Sequence, residues 1–324
     1  MARKGDLLSV REDVRVLDAT MRDGGLVNNF MFSDEFVKSL YETNVKAGID
    51  YMEFGYKASK ELFDESKFGK WKFSSDDDIR AIVGDNNTSL KLAVMADVGR
   101  CDFKKDIVDK KDSPVDMVRV ATYIHQIAGA VEMIEYCKNK GYEVTCNIMA
   151  ISKAQESDVA QALEMVAKTG LDGIYIVDSY GSLVPEQIAR ITEFYQQVTD
   201  KYGIALGIHA HNNQQLAFAN TIEALADGVS FLDATMNGMG RGAGNCAMEL
   251  LLGFLKNPKY TFIPVLKFLE NYMVKLKADG VIWGFDIPYM LTGQMNQHPS
   301  VAIQAMAEGD TAYREFFTKL LDNV

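Results

Sequence analysis

Cysteine is scarce in this chain and badly placed for either of its usual structural jobs. The four residues Cys101, Cys137, Cys146 and Cys246 are scattered and form no C-x-x-C pair. That spacing argues against a Cys-based zinc site and gives no disulfide framework, so a reducing cytoplasm is the expected home. Positive charge is short as well, with 34 Lys and Arg against 45 Asp and Glu and a net charge of −11. A chain of that sign repels nucleic acid and anionic membranes at long range, and neither is expected as a partner. A small anionic substrate stays open, because a few local cations can outweigh the global sign. No apolar run approaches the length of a membrane span, and the stretch from Met1 to Asp13 is charged and lacks the apolar core of a signal peptide.

What the chain does have is ordinary globular material, 324 residues that are 48% hydrophobic and 24% charged, enough for one large α/β domain or two smaller ones. Eight short apolar runs recur along it: Val16–Thr20, Tyr51–Tyr56, Leu90–Ala96, Met117–Thr122, Glu143–Ala150, Gly173–Asp178, Leu206–His211 and Phe231–Thr235. Their continuous apolar character fits parallel strands buried on both faces. Helix punctuation lies between them. Ser33 precedes two acids, Ser157 and Asp158 open a helix that Gly170 can close, and Pro185 suits a first helical position with Gly203 beyond the far end. Eight βα units predict a closed (β/α)8 TIM barrel over residues 1–255. Residues 256–324, after Asn257-Pro258, predict a helical C-terminal extension with helices over Phe262–Lys277 and Val301–Leu321, placed over the barrel mouth or at a subunit contact. Leu17-Asp18-Ala19-Thr20-Met21 returns letter for letter as Leu232-Asp233-Ala234-Thr235-Met236, in the first and last runs, which closure makes neighbours. Lys57 to Asp78 is too long for a typical βα loop and reads as a lid or a packed excursion.

Two of the four histidines sit in Gly207-Ile208-His209-Ala210-His211-Asn212-Asn213. Side chains on a strand alternate, so His209 and His211 point the same way and can share one ion. Asp23, in Asp18-Ala19-Thr20-Met21-Arg22-Asp23-Gly24-Gly25, offers an oxygen ligand at the end of another strand, and in a barrel the loops after the strands converge at one face. The glycine run Gly238-Met239-Gly240-Arg241-Gly242 does not fit G-x-G-x-x-G, and its glycines read as tight turns beside a metal or an anionic group.

Together, Asp18-Ala19-Thr20-Met21-Arg22-Asp23-Gly24, His209-Ala210-His211-Asn212-Asn213 and Gly240-Arg241-Gly242-Ala243-Gly244-Asn245 resemble the three signatures of the DRE-TIM metallolyases. The match covers roughly Val14 to Leu252 and is nearest the 4-hydroxy-2-oxovalerate aldolase branch. The resemblance implies that Asp23, His209 and His211 bind a divalent metal, with Asn245 an extra or outer ligand. Two imidazoles and a carboxylate suit Mn, Co, Zn or Fe, manganese being the first expectation, and Mg usually prefers more oxygen. It implies further that a 2-oxo acid chelates the metal, that Arg22 stabilises the enolate, that Glu53 is the family acid on strand two, and that Ser179 contacts the oxo acid. Arg119 matches a strand-four Arg of structural or functional use. Homo-oligomers and a partner dehydrogenase subunit come with the same resemblance.

One departure stands out. The relatives' acid/base His, three residues after the metal Asp, is Leu26 here, and leucine moves no protons. By residue type alone, Tyr123, His125, Tyr180, Tyr289 and His298 are candidates for that work. Cys246 reads as a buried small residue. The expectation is a carbon–carbon lyase, a metal-dependent aldolase working through a pyruvate-type enolate. Two alternatives stand beside it: an acyl-CoA condensing enzyme or lyase of the same superfamily, and a barrel that has lost turnover and serves as a binding or regulatory subunit.

Overall fold

The computed structural model of the protein describes residues 8–309 and 311–322. Its eight strands are β1 (Arg15–Asp18), β2 (Tyr51–Tyr56), β3 (Lys91–Asp97), β4 (Met117–Thr122), β5 (Glu143–Ile148), β6 (Gly173–Asp178), β7 (Ala205–Ala210) and β8 (Phe231–Ala234). All pair in parallel with their sequence neighbours, and β8 pairs with β1 to close the barrel. Every residue of β2, β4 and β6 is buried, as strands covered by helices outside and side chains inside must be. Leu17, Tyr51, Ala93, Met117, Tyr175, Val177 and Phe231 form the apolar part of the barrel interior. A larger shell of apolar side chains lies between strands and helices.

The repeated pentapeptide lies on neighbouring strands, yet its two copies are not equivalent. Val16 pairs with Leu232 and Leu17 with Asp233, so the copies are one residue out of register. A one-residue slip turns every side chain to the other face. Leu17 therefore fills the interior while Leu232 packs outward. Asp18 points out and accepts from Asn44 Nδ2 at 2.6 Å, whereas Asp233 points in.

Helix ends follow the sequence in part. The Ser33 hydroxyl accepts from the Phe36 N–H at 3.2 Å to start Asp34–Ala47. Pro185 opens Pro185–Tyr202, which ends on Gly203 at φ 66°, a left-handed turn that suits glycine. The helix expected from Ser157 to Gly170 runs Glu156–Ala167, begun by Gln155. Between β3 and β4 the crossover holds only the turn Phe103–Asp106 and a 3₁₀ turn Lys110–Asp112. That stretch is rich in Lys and Asp and has no apolar stripe with which to dock a full helix.

Past the barrel, Ile263–Ala278 is one continuous helical run with a π-helical stretch at Leu269–Met273. It lies against Asp34–Ala47 through the rings of Phe36, Phe268 and Tyr272. The single helix expected over Val301–Leu321 is two, Ser300–Ala307 and Tyr313–Leu321, and Ile287–Gln294 is a further helix the sequence did not mark. Gly309, at φ 70°, lies at the break. These three share a core of Leu291, Ala302, Ala305, Phe316 and Leu320. Asn296 ties them to the barrel mouth: its Oδ1 accepts from Ser152 Oγ at 2.7 Å and Ser182 Oγ at 3.0 Å. The Lys57 to Asp78 stretch is packed at its centre, with Trp71 fully buried 5.6 Å from the Phe54 ring and the Gly69 N–H donating to Asn29 O at 2.8 Å. Among the described residues, no helix is long and apolar enough to cross a membrane.

Candidate metal centre

Closure brings the β1 and β7 ends together. Asp23 stands in the one-turn helix Thr20–Gly24 that follows β1, His209 is in β7, and His211 comes just past its end. All three are buried, and a carboxylate oxygen and two ring nitrogens lie within 4.8 Å of one another. Ligands held about 2.1 Å from one ion are up to about 4.2 Å apart, so the cluster is close to the size a cation needs.

Each imidazole is oriented by its other nitrogen. His211 Nδ1 is 2.9 Å from the Asp178 backbone carbonyl, which makes it the donor, and leaves Nε2 buried with no hydrogen-bond partner, 3.7 Å from Asp23 Oδ2. His209 Nδ1 is 2.9 Å from Asp233 Oδ2. A carbonyl or carboxylate behind a ligating histidine fixes its tautomer and raises its basicity. Burial pushes the His211 imidazole down to about 3, against the opposing pull of Asp23, so the ring is neutral and its lone pair is available. Burial alone would raise the Asp23 carboxyl, but Arg22 first, then His211 and His209, hold it well below the usual range. A neutral imidazole at His211 and an ionised carboxylate at Asp23 are the protonation states a metal requires. The orphaned His211 Nε2 is the observation that fits a cation here best.

Asn245, bridged to His211 along the backbone, donates from Nδ2 to Asp23 Oδ2 at 2.6 Å and leaves Oδ1 buried without a partner. In this arrangement it orients Asp23. Gly240 lies against the same pair: a Cβ there would run into Asn245 Nδ2 and Asp23 Oδ2, so only glycine lets the loop pass.

Behind the cluster runs a buried charged chain. Arg22 donates from Nη1 to Asp23 Oδ1 at 2.7 Å and from Nε to Glu53 Oε2 at 2.9 Å. The same Glu53 oxygen accepts from Arg119 Nη1 at 2.8 Å, and Arg119 Nη2 donates to Asp233 Oδ2 at 2.6 Å. Arg119 also lies over the Tyr175 ring, 4.4 Å from its centroid. The Arg22 Nη2 stands 3.5 Å from both ring nitrogens of His209. Fixed on three sides, the guanidinium lies directly beside the candidate ion position. Glu53 and Arg119 are fully buried.

The remaining sequence candidates divide. Ser179 Oγ accepts from the Ala150 N–H at 2.9 Å, and its carbonyl accepts from Arg241 Nη2 at 3.1 Å, which places it at the mouth beside the glycine loop. Tyr123 stacks on His125 at 5.6 Å and Tyr180 meets His298 edge-on at 5.7 Å. The Tyr289 ring borders Gly242. Leu26 is 36% exposed. Cys246 is buried, and burial pushes its thiol up to about 12. Asp233 was missed as a site residue, although an inward acid one strand from His209 is the partner such a ligand needs.

The family model described as HMGL-like matches residues 13–268. The chain is 30% identical over 244 residues to an oxaloacetate decarboxylase of Mycobacterium tuberculosis, covering 74% of this chain and 69% of that protein. It is 28% identical over 250 residues to a 4-hydroxy-2-oxovalerate aldolase of Pelotomaculum thermopropionicum, covering 76% and 71%. Among solved structures, the N-terminal domain of a Bacteroides vulgatus protein assigned as an aldolase superposes with a TM-score of 0.76 at 28% identity, over 90% of this chain and 96% of that one. The carboxyl transferase domain of Rhizobium etli pyruvate carboxylase with pyruvate and biocytin shares the fold, with a TM-score of 0.69 at 15% identity over 93% of this chain and 55% of that one.

Proposed function

The chain belongs to the HMGL-like family, and on that footing we propose that it makes or breaks a carbon–carbon bond next to a 2-oxo acid, by way of a pyruvate-type enolate. The single observation that carries the reading is the buried triad Asp23, His209 and His211, with an unpartnered His211 Nε2 and the Arg22 guanidinium beside it. Its named relatives act on two substrates that meet in one species. Loss of CO2 from oxaloacetate and cleavage between C3 and C4 of a 4-hydroxy-2-oxo acid both leave the enolate of pyruvate.

Asp23, His209 and His211 would hold a divalent cation, manganese before cobalt, zinc, iron or magnesium, with Asn245 steering Asp23 from outside. Such a cation, when bound, supplies Lewis-acid stabilisation of the developing enolate charge. Arg22 adds a fixed positive charge at the same place. Its pairing with Glu53 and Asp23 means that little reorganisation is needed as the reaction proceeds. Glu53 serves catalysis through Arg22, since its Oε2 is taken by two guanidiniums and the side chain is fully buried. Ser179, at the rim, would contact the oxo acid.

The test is metal analysis of the purified protein followed by NMR of pyruvate in heavy water. Metal-dependent deuterium uptake at the methyl group is expected, with a large loss in Arg22→Ala. Protein that binds no divalent metal, or exchange unaffected by Arg22→Ala, would reject the assignment.

A further inference from the structure

The missing histidine at position 26 leaves the proton-handling group unassigned. The structure offers a group at the end of β3. Asp97 is the last residue of β3. Ala93 of that strand lies in the barrel-interior cluster, so by alternation Asp97 also faces inward, at the end where Arg22 and Asp23 stand. Its Oδ1 is buried without a hydrogen-bond partner, and Oδ2 reaches only Arg100 Nη1, at 4.0 Å.

A lysine lies near enough to act on the charge of Asp97. Lys72 is buried, and among the described residues no carboxylate lies within 4.0 Å of its ammonium. The charge sits instead among rings, 4.4 Å from the centroid of Phe63, 4.5 Å from Tyr56, 5.1 Å from Phe30 and 5.7 Å from Phe68. Two of these rings, Phe63 and Phe68, and Lys72 itself belong to the long Lys57 to Asp78 stretch. A buried carboxylate oxygen with no donor, such as Asp97 Oδ1, is costly to leave so. A hydroxyl of a bound ligand would satisfy it.

We propose that Asp97 is the proton-transfer group of this barrel, doing the work for which relatives use the histidine at the Leu26 position, and that the Lys57 to Asp78 stretch serves to hold Lys72 near it. This rests on the enolate reading above. In cleavage of a 4-hydroxy-2-oxo acid, the Asp97 carboxylate takes the C4 hydroxyl proton. The C3–C4 bond then breaks, its electron pair passes into the pyruvate enolate, and C4 leaves as the aldehyde carbon. The Asp97 carboxylic acid returns the proton to C3, which yields pyruvate and restores the carboxylate. Burial pushes the Asp97 carboxyl up, while Lys72, Arg100 and Arg22 pull it down and Glu53 opposes them. A carboxyl raised from its ordinary value is a better match to proton transfer near neutrality.

The experiment uses manganese-loaded full-length protein and follows methyl-proton exchange of pyruvate in heavy water, with pyruvate affinity measured separately by water-proton relaxation. Asp97→Asn should lose exchange by about 100-fold or more while pyruvate affinity stays within about threefold, and Tyr56→Phe should exchange like wild type. Lys72→Met should move the acid limb of the pH profile upward, because one of the cations that favour the Asp97 carboxylate is gone; Lys72→Arg should leave it in place. Exchange that survives in Asp97→Asn, a loss that follows Tyr56→Phe instead, or an Asp97→Asn protein that loses pyruvate affinity in proportion would each overturn the proposal and leave the enolate reading intact. Wild-type protein that exchanges nothing would overturn both.

Discussion

Replacing Asp233 by Asn tests whether the interior charges serve the metal site or only the fold. One oxygen of Asp233 accepts from Arg119 Nη2 at 2.6 Å and faces His209 Nδ1 at 2.9 Å. Asn preserves the shape and removes the charge. The two hydrogen bonds that end on this oxygen lose their anionic acceptor, a loss of about 1 kcal/mol each, and Arg119 keeps only Glu53 as counter-charge. The full cost of breaking a buried pair, about 3–5 kcal/mol, is the upper bound. For a chain of 324 residues, ~1.5 °C of melting temperature accompanies each kcal/mol, so a fall of about 3–7 °C in chelator is expected. Metal affinity should fall separately, about 10–100-fold, because the imidazole loses the carboxylate that orients and enriches it. The control is Asp18→Asn, the same letter in the repeated pentapeptide but on the outer face, 2.6 Å from Asn44, which should melt earlier with metal affinity unchanged. Titration with Mn2+ and Zn2+ beside thermal melts reads both quantities. Asp233→Asn protein that binds metal within threefold of wild type, or an Asp18→Asn protein weakened equally, would refute the coupling of this carboxylate to the site.

Three further outcomes follow from individual contacts. Gly240→Ala should weaken metal binding more than tenfold with a modest change in melting temperature, since its Cβ displaces Asn245 and Asp23 and not core side chains; unchanged affinity would show that the loop gives way freely. Burial pushes the Asp178 carboxyl up to about 7 from its ordinary 3.8, against the pull of N–H donors from Ser182, Leu183 and Gly181. Its protonated form therefore favours folding, a contribution present below about pH 4 and lost as pH rises toward 7, worth about 1.4 kcal/mol per unit. Asp178→Asn should flatten the decline of chelator-treated melts between pH 4 and 8, and parallel curves for the two proteins would contradict it. Leu26 is 36% exposed, so Leu26→His should change stability by less than about 0.5 kcal/mol. It should also restore pyruvate methyl exchange to Asp97→Asn, and failure to do so would place that imidazole outside the reach of the substrate.

The eight strands were legible because a parallel strand covered on both faces must be apolar throughout, and such runs are visible without knowing their partners. The ligand pair was legible for a related reason: His209 and His211 differ by one strand period, and Asp23 ends another strand. What local sequence could not carry was direction. Asp18 and Asp233 sit in identical pentapeptides, and only the β1–β8 register, one residue off the repeat, decides that the second points at His209. Asp97 and Lys72 are far apart along the chain and belong to no motif, so their proximity became visible only when β3 and the long stretch after β2 were in place. The crossover after β3 misled for the opposite reason, since spacing between strands promised a helix that its charged residues could not dock. In the C-terminal segment, a helical composition concealed breaks that depend on one glycine and on which faces find partners.

The charges around the triad explain why a barrel would fill part of its centre with ions when apolar side chains of equal volume would be more stable. Asp23, Glu53 and Asp233 are linked by hydrogen bonds to Arg22 and Arg119, and both imidazoles have their outer nitrogens committed to a carboxylate or a carbonyl. Three carboxylates against two guanidiniums leave this linked set one negative charge in excess. On the proposed reading a divalent cation reverses that excess to one positive charge, and a 2-oxo monocarboxylate cancels it. The site then favours cation before substrate, and substrate only with the cation, so the order of binding is written into the interior charge count. An apolar filling would hold the barrel together equally well, but it would neither hold Arg22 pointed at the ion nor supply the negative charge that draws the ion in.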